Sequence, residues 1–418
     1  MPSPSSSTSS TLLKKMSFDI PCDGGSGDDD APGQQTSLTF DDLLAKPIQD
    51  KLFAYKNQIS FHYKNKTWDS VKKLTNAFEL LVRNPTPVSR SFFKLYEMLS
   101  DHASEIRSLL PGAIGISKWR ALFLAEGPGG FVEAFHTFRS RHAASAADAC
   151  EPMYCNTLVN RSNRSVPCWK IPTTEMKAAR VRVEFCNGRD GTGNLYSMDN
   201  IDSIVADVGG EGAVHIATAD GGFDFSDDFS SQESNALQLI VAESYAALRA
   251  LCVGGTFVLK VFDVSSRHTI AFIQTLARAF ERARMTKPMS SRQANSEKYV
   301  VLVGYKGPFE GMGVLRRCVV ERTVEPLLGV RLGRLFLDGI DRANSAMINA
   351  QIQNISRTIA YINVPPGQAA LCEITAAQQR RAAAWTEHFF GPRGGGGGGG
   401  GERGREKSPA ASTTWDDG

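Results

Sequence analysis

Residues 121–139 read ALFLAEGPGGFVEAFHTFR, and the chain changes character twice within them. Ala121 to Ala125 is a short apolar run of the kind that makes a buried strand. Glu126-Gly127-Pro128-Gly129-Gly130 follows, with three glycines in four positions. That composition permits a tight turn and a close backbone approach to a ligand. Phe131 to Arg139 reads as the next helix, whose free N–H groups would face that ligand. A plain strand-to-helix turn is the competing reading. The G-x-G-x-x-G spacing of a dinucleotide site is absent.

The same alternation recurs downstream. Val214 to Ala219 reads as a strand closed by Asp220-Gly221-Gly222, and Ser231 to Leu251 as a long helix. Gly255 to Phe262 reads as a strand, Thr269 to Arg284 as a helix, and Lys298 to Tyr305 as a β-rich run. Upstream, Asp42 to Glu79 carries helix-like runs, and Phe92, Leu95 and Leu99 share one helical face. This alternation predicts an α/β fold, a mostly parallel sheet with helices on both faces. Ligands of such sheets bind beyond the C-terminal strand ends.

Length and composition bound the rest. The 418 residues are 42% hydrophobic and 22% charged, which is ordinary for a globular chain. A net charge of +3 excludes a wholesale polycation, though not a local basic face. Eight cysteines contain no C-x-x-C pair, so neither a structural zinc site nor a disulfide scaffold is expected. A reducing compartment fits best. No apolar run reaches about 18 uncharged residues, so no membrane span is expected. The first residues lack the apolar core of a secretory signal. Residues 1–37, rich in Ser, Gly and Asp, read as a disordered tail. Residues 393–418, with eight consecutive glycines, read as a second.

Four charged residues sit where the pattern makes charge costly or consequential. Asp220 closes a strand, although Asp-Gly is also a common turn dipeptide. Lys260 lies in Val258-Leu-Lys-Val-Phe262, where burial is costly unless it is paired. Its alternative is an edge strand with a snorkelling stem. Glu297 ends the polar stretch before Lys298, and Lys94 lies in the Phe92–Leu99 helix. Strand boundaries would converge Asp220, Lys260 and Glu297.

In these segments the chain resembles the RrmJ-type, FtsJ-like ribose 2′-O-methyltransferases. The matching pieces are SRSFFKLYEML, LAEGPGGFVEA, ADGGFDFS, GGTFVLKVFD and RQANSEKYVVLVGYKG. The resemblance covers about 89–307 and is closer to the cap-methylating branch of eukaryotes and large DNA viruses. It implies a Rossmann-like class I methyltransferase sheet with N- and C-terminal helical extensions at 38–88 and 308–392. It implies S-adenosylmethionine as cofactor, cradled by Glu126, Gly127, Pro128, Gly129, Gly130 and Phe131, with Asp190 and Asp220 beside it. Asn194 stands where the family's second loop commonly has an acid, and an Asx-type turn is an equal reading for Asp190.

The resemblance also implies a catalytic tetrad of Lys94, Asp220, Lys260 and Glu297. Lys260 is the candidate base, because an apolar setting and a nearby cation, Lys94, both lower a lysine's pKa. Asp220 and Glu297 would orient the lysines and oppose that drop. The implied substrate is RNA, the capped 5′ end of mRNA, with other capping enzymes as partners. The location would be nuclear for a cellular enzyme and cytoplasmic for a viral one. An rRNA or tRNA methyltransferase and a catalytically silent RNA-binding subunit are the alternatives.

For RNA contact, Lys51, Lys56, Lys64, Lys66, Lys72 and Lys73 interleave with Phe53, Tyr55, Phe61, Tyr63 and Trp68. A solvated helical face over core aromatics is the competing reading. Arg316, Arg317, Arg322, Arg331 and Arg334 form a second basic cluster.

Overall fold

Ala121-Leu-Phe-Leu124 is buried along its whole length and forms a central strand, as its apolar run predicts. The computed structural model describes residues 13, 15–22, 46–143, 151–160, 166, 168–170, 182–222 and 232–391. Eight strands make one sheet: β1 (Met16–Ile20), β2 (Ala121–Leu124), β3 (Met153–Cys155), β4 (Val183–Phe185), β5 (Val214–Ala219), β6 (Leu251–Val261), β7 (Phe280–Lys287) and β8 (Lys298–Tyr305). Their spatial order is β1-β7-β8-β6-β5-β2-β3-β4. From β4 to β6 every pairing is parallel. β8 runs against both β6 and β7, and β1 against β7.

Three features depart from the sequence reading. The helix predicted over Thr269–Arg284 ends at Arg278, and Phe280–Lys287 is a strand. Glu281 and Arg282 are exposed there while Ala283 and Met285 are buried. Pairing on both edges, with β1 and β8, overrides the helical propensity of the run. The second departure lies inside the tail read as disordered. Met16–Ile20 pairs with β7, and Ile20 is buried in the core. Alternating Met16, Phe18 and Ile20 give this short stretch one apolar face to bury. Most of the rest of 1–37, and all of 393–418, lies outside the described residues. The third is the reversed β8. Its start, not its end, meets the C-terminal edge of β6.

Ten helices cover the described sheet. Those on one face are α5 (Met198–Asp207), α6 (Gln232–Ala250), α7 (Arg267–Arg278) and α8 (Gly311–Glu321). On the other are α3 (Ser91–Leu109) and α4 (Gly130–Arg141). Serines cap two of them, Ser197 at α5 and Ser266 at α7, by accepting from a main-chain N–H one turn on. The extensions are α1 (Lys46–Lys64) and α2 (Thr67–Thr75), then α9 (Arg334–Asn363) and α10 (Gln368–Phe390).

The first half of α9 joins the α6–α8 face through Phe336, Ile340 and Met347. Its second half packs Ile348, Ile352 and Ile355 against Leu52, Ile59 and Trp68 of α1 and α2. The chain then returns along α10 to bury Trp385 and Phe389 against α3.

A buried charge cluster fastens the N-terminal extension to the sheet. Asp263, just past β6, contacts Lys56 of α1 and lies 3.6 Å from Lys298 of β8. Burial opposes the Asp263 charge, but the two lysines outweigh it and hold its carboxyl below the usual range. Removing one member of a buried pair strands its partner and costs about 3–5 kcal/mol. Asp263→Ala should lower the unfolding free energy, read from urea melts, by that amount with an unchanged slope; a loss below about 1 kcal/mol would contradict the buried-triad reading.

Candidate active site

The C-terminal edge of β2, β5 and β6 gathers the predicted charged residues. Lys260 is the penultimate residue of β6, and Asp220 follows β5, its neighbour. Lys260 Nζ lies 3.2 Å from Asp220 Oδ1 and also donates to the Asp220 carbonyl. Glu297 precedes β8, whose reversed direction brings that start to the same edge. Lys94 of α3 reaches it with Nζ 2.8 Å from both Glu297 oxygens. The structure therefore assembles two lysine–carboxylate pairs, Lys260–Asp220 and Lys94–Glu297, at one edge.

The electrostatics settle what composition left open. Burial disfavours the Lys260 ammonium, but Asp220, Glu297 and Glu243 outweigh it and raise its pKa above the ordinary lysine value. Of the opposing effects that the sequence left open, the carboxylates outweigh burial and favour the charged form of Lys260. Glu297 goes the other way. Burial would raise it, but Lys94, Lys260 and Lys287 hold it well below the usual carboxylate range.

The glycine loop also departs from expectation. The Phe131 N–H, at the start of α4, donates to Glu126 Oε1 at 2.7 Å, so the protein's own carboxylate occupies that helix end. A Cβ on Gly130 would lie 2.1 Å from Ser91 Oγ and 2.2 Å from Ser89 Oγ, so a larger residue here would force the start of α3 to shift. Glu126 is buried, and burial, with Asp220 nearby, raises its pKa well above the usual value. Glu126 Oε2 and Asn156 Oδ1, buried just beyond β2 and β3, have no hydrogen-bond partner among the described residues. They offer two acceptors toward a donor-bearing or cationic ligand. Asp190 forms the Asx turn that its sequence context allows. Its Oδ1 accepts from the Thr192 N–H (2.8 Å), the Thr192 hydroxyl (2.7 Å) and Asn200 (3.0 Å) in an exposed turn.

Several site residues escaped the sequence reading. Glu97, one turn past Lys94, is buried and accepts from the Met289 and Ser290 N–H groups and from Trp385 Nε1. Lys287 donates to the carbonyls of Asn295 and Glu297. Burial pulls its pKa down to about 7, with Glu297 resisting. Gln351 of α9 holds the Ala294 carbonyl at 3.0 Å. Together they fix the 288–297 loop that presents Glu297. Tyr299, the register partner of Lys260, donates its hydroxyl to Asp220 Oδ1 at 3.0 Å. The only signal for Glu97 and Lys287 was a charge inside or beside an apolar run.

The basic and aromatic segment divides. Lys56 and Trp68 are buried, and Tyr55 and Tyr63 pack against the α1–α2–α9 core. Phe53 and Phe61 are exposed, as are Lys51, Lys64, Lys66 and Lys73. In the second basic cluster, Arg317 pairs with Glu321 and Arg334 with Asp338. A cleft of about 150 Å³ opens beside Glu297, lined by Trp68, Phe262, Gln232 and Gln351. Among the described residues, no helix is long and apolar enough to cross a membrane.

An α/β sheet with paired lysines and carboxylates at its C-terminal edge suits group transfer, and comparison identifies the class. The chain belongs to the FtsJ-like methyltransferase family, whose model matches residues 87–305, just over half of it. It is 29% identical over 191 residues to cap-specific mRNA (nucleoside-2′-O-)-methyltransferase 1 of Trypanosoma brucei brucei, covering 43% of this chain and 51% of that protein. It is 28% identical over 201 residues to cap-specific mRNA (nucleoside-2′-O-)-methyltransferase 2 of Mus musculus, covering 48% of this chain and 26% of that one. The human methyltransferase 1 gives 30% over 190 residues, 42% of this chain and 23% of that protein. The chain thus spans about half the length of the first of these relatives and about a quarter of the other two. A solved structure of a putative ribosomal RNA methyltransferase from Plasmodium falciparum aligns at a TM-score of 0.33 and 16% identity, over 51% of this chain and 97% of that one. That score is too low to bear on the fold.

Glu243 of α6 lies beneath the Asp220–Gly221 turn; a Cβ on Gly221 would meet its Oε1 at 2.0 Å. Burial pushes its carboxyl up to about 8, with Lys260 opposing. An unfolded glutamate ionises near 4.3. Between those values the folded state holds the extra proton, so stability falls as pH rises. Glu243→Gln should therefore raise Tm near pH 8 and change it little near pH 4.5. Equal shifts at both pH values would rule out a proton held by burial.

Proposed function

We propose that this chain transfers a methyl group from S-adenosylmethionine to a ribose 2′-hydroxyl near the capped 5′ end of mRNA. The observation that carries the reading is the pair of lysine–carboxylate contacts at the edge of β5 and β6, beside the glycine loop. The names of the relatives support the cap-proximal substrate, and other capping enzymes are the natural partners.

The residues present fit the cofactor. The unpartnered Glu126 and Asn156 oxygens are acceptors suited to its ammonium and hydroxyl groups. A cation bound there would draw the Glu126 carboxyl back to its charged form. Glu126, Asn156, Asp220 and the backbone of Gly127 to Gly129 would hold it. When bound, S-adenosylmethionine supplies a methyl group already activated on a sulfonium. The protein's task is then alignment and removal of one proton.

Lys260 is the group placed to take that proton, and Asp220 and Tyr299 set its position. Because its carboxylate neighbours keep it charged, the neutral amine is a minority form at neutral pH. Lys94, held by Glu297, is placed to steady the ribose hydroxyl. The cleft beside Glu297 offers the edges of Trp68 and Phe262 to a nucleobase, and Gln232 and Gln351 as polar contacts.

Two expectations follow from this chemistry. Lys260→Ala should abolish turnover while S-adenosylmethionine still binds, measured by calorimetry; near-normal turnover would remove Lys260 from its role. In the wild type, kcat should climb with pH across about 7–9, toward the raised lysine pKa, near tenfold per unit. Asp220→Asn removes a charge that sustains that pKa, so the rising limb should move to lower pH, even where the maximum falls.

The substrate is tested with labelled cofactor and two RNAs of one sequence, one bearing an N7-methylguanosine cap and one a 5′ triphosphate. Label in the first riboses of the capped RNA alone supports the cap reading. Equal labelling moves it to an rRNA or tRNA methyltransferase.

A further inference from the structure

Away from the tetrad, a groove of about 500 Å³ lies between the end of α2, the last turns of α9 and the middle of α10. Arg357, Arg380 and Arg381 line it, together with Tyr361 and with Glu373 as the opposing charge. None of the three arginines makes an ion pair or hydrogen bond among the described residues. Three guanidinium groups with no carboxylate partner, around a concave surface, are a site for an anion with several charges.

The floor of the groove is built rigidly. Gln378 of α10 donates to the carbonyls of Lys73 and Asn76, each at 2.8 Å. Asn354 of α9 donates to the Thr75 carbonyl at 2.9 Å, and Thr75 and Thr358 share a hydroxyl contact at 2.6 Å. The exposed carbonyls at the end of α2 are thus taken by side chains of the two C-terminal helices. A floor made this way holds its shape without a ligand.

Its location ties it to the active site. The cleft beside Glu297 is lined by Trp68 of α2 and Gln351 of α9. Both helices run on from there into the groove, which takes Leu74 and Thr75 from α2 and Arg357 and Tyr361 from α9. At 1.5 Å per residue, Arg357 lies about 9 Å and Tyr361 about 15 Å along α9 from Gln351. That is a short step for a polymer leaving the cleft.

We infer that this groove is a phosphate track for the RNA strand beyond the methylated nucleotide, with Arg357, Arg380 and Arg381 on phosphates and Tyr361 against a base. This inference rests on the reading of RNA as substrate. Contacts of this kind carry no sequence information, and they make affinity depend on RNA length and on salt.

The test uses the full chain and its triple variant Arg357→Ala/Arg380→Ala/Arg381→Ala, with fluorescein-labelled single-stranded RNAs of about 4 and about 16 nucleotides, the range of common single-strand site sizes. Anisotropy gives affinity without requiring turnover. For the long RNA, the triple variant should bind roughly tenfold more weakly, and its log–log salt slope should drop by about 2, near 0.7 per lost phosphate contact. The short RNA should bind both proteins alike. The Arg→Lys triple variant should recover most of the long-RNA affinity, because the charge is kept. In the methyl-transfer assay the Ala variant should raise KM for the long substrate at unchanged kcat.

Equal affinity of both proteins for the long RNA overturns the inference, as does an equal loss for both lengths. A variant that loses binding to a poly-glutamate peptide but not to RNA overturns it in favour of an acidic protein partner. Length-dependent RNA binding through these arginines without methyl transfer sustains the track and removes the catalytic reading. Methyl transfer with no arginine dependence does the reverse.

Discussion

The candidate site at the C-terminal edge of the sheet depends on placing charge where it is largely withdrawn from water. Lys260, Glu297, Glu126 and Glu243 all lie in an interior that resists ionised groups. The solution is mutual compensation. At neutral pH Lys260 is stabilised chiefly by Asp220 and Glu297, and Glu297 by Lys94 and Lys260. No member has its protonation state set alone, so the site behaves as one network. Glu126 and Glu243, whose positive neighbours are insufficient, answer by moving upward in pKa.

That network needs a precise frame, and much of the molecule supplies it. The β7–β8 loop carries Glu297 and is gripped from three sides, by Glu97 of α3, Lys287 of β7 and Gln351 of α9. Trp385 of α10 reaches the same Glu97 carboxylate. The C-terminal helices are therefore part of the scaffold of the candidate site as well as a wall of the arginine groove. The Lys56–Asp263–Lys298 cluster does the corresponding work for α1, tying it to the strand end next to Lys260.

The direction of β8 shows how the sequence pattern and the assembled fold divide the information. A β-rich run at 298–305 is plain from Tyr299-Val-Val-Leu-Val303, and a polar stretch ahead of it marks Glu297. Neither says which way the strand runs. Had β8 been parallel to β6, Glu297 would lie at the opposite edge from Asp220. The reversal depends on β7, and β7 was hidden in Glu281-Arg-Ala-Arg-Met285, whose charges suit a helix as well as a strand. β1 was hidden for a related reason. Five residues of alternating apolarity inside a Ser- and Asp-rich tail bury little until β7 is there to receive them.

By itself the sequence determined the local grammar: apolar runs that must be strands, the Glu126–Phe131 turn, the amphipathic helices, and the four charged residues Lys94, Asp220, Lys260 and Glu297. These are legible because strand burial, turn geometry and the cost of a charge in an apolar run act over a few residues. Only the tertiary structure decided which charges surround Lys260, that Glu126 fills the helix end it borders, that Asp190 accepts within its own turn, and that Glu97, Lys287 and Glu243 lie around the candidate site. The surroundings of Lys260, Glu297, Glu97 and Glu243 act through sums of electrostatic and desolvation energies over residues from separate segments, and such sums exist only once the chain has folded, while the Glu126 and Asp190 contacts are local but need turn geometry that the fold sets.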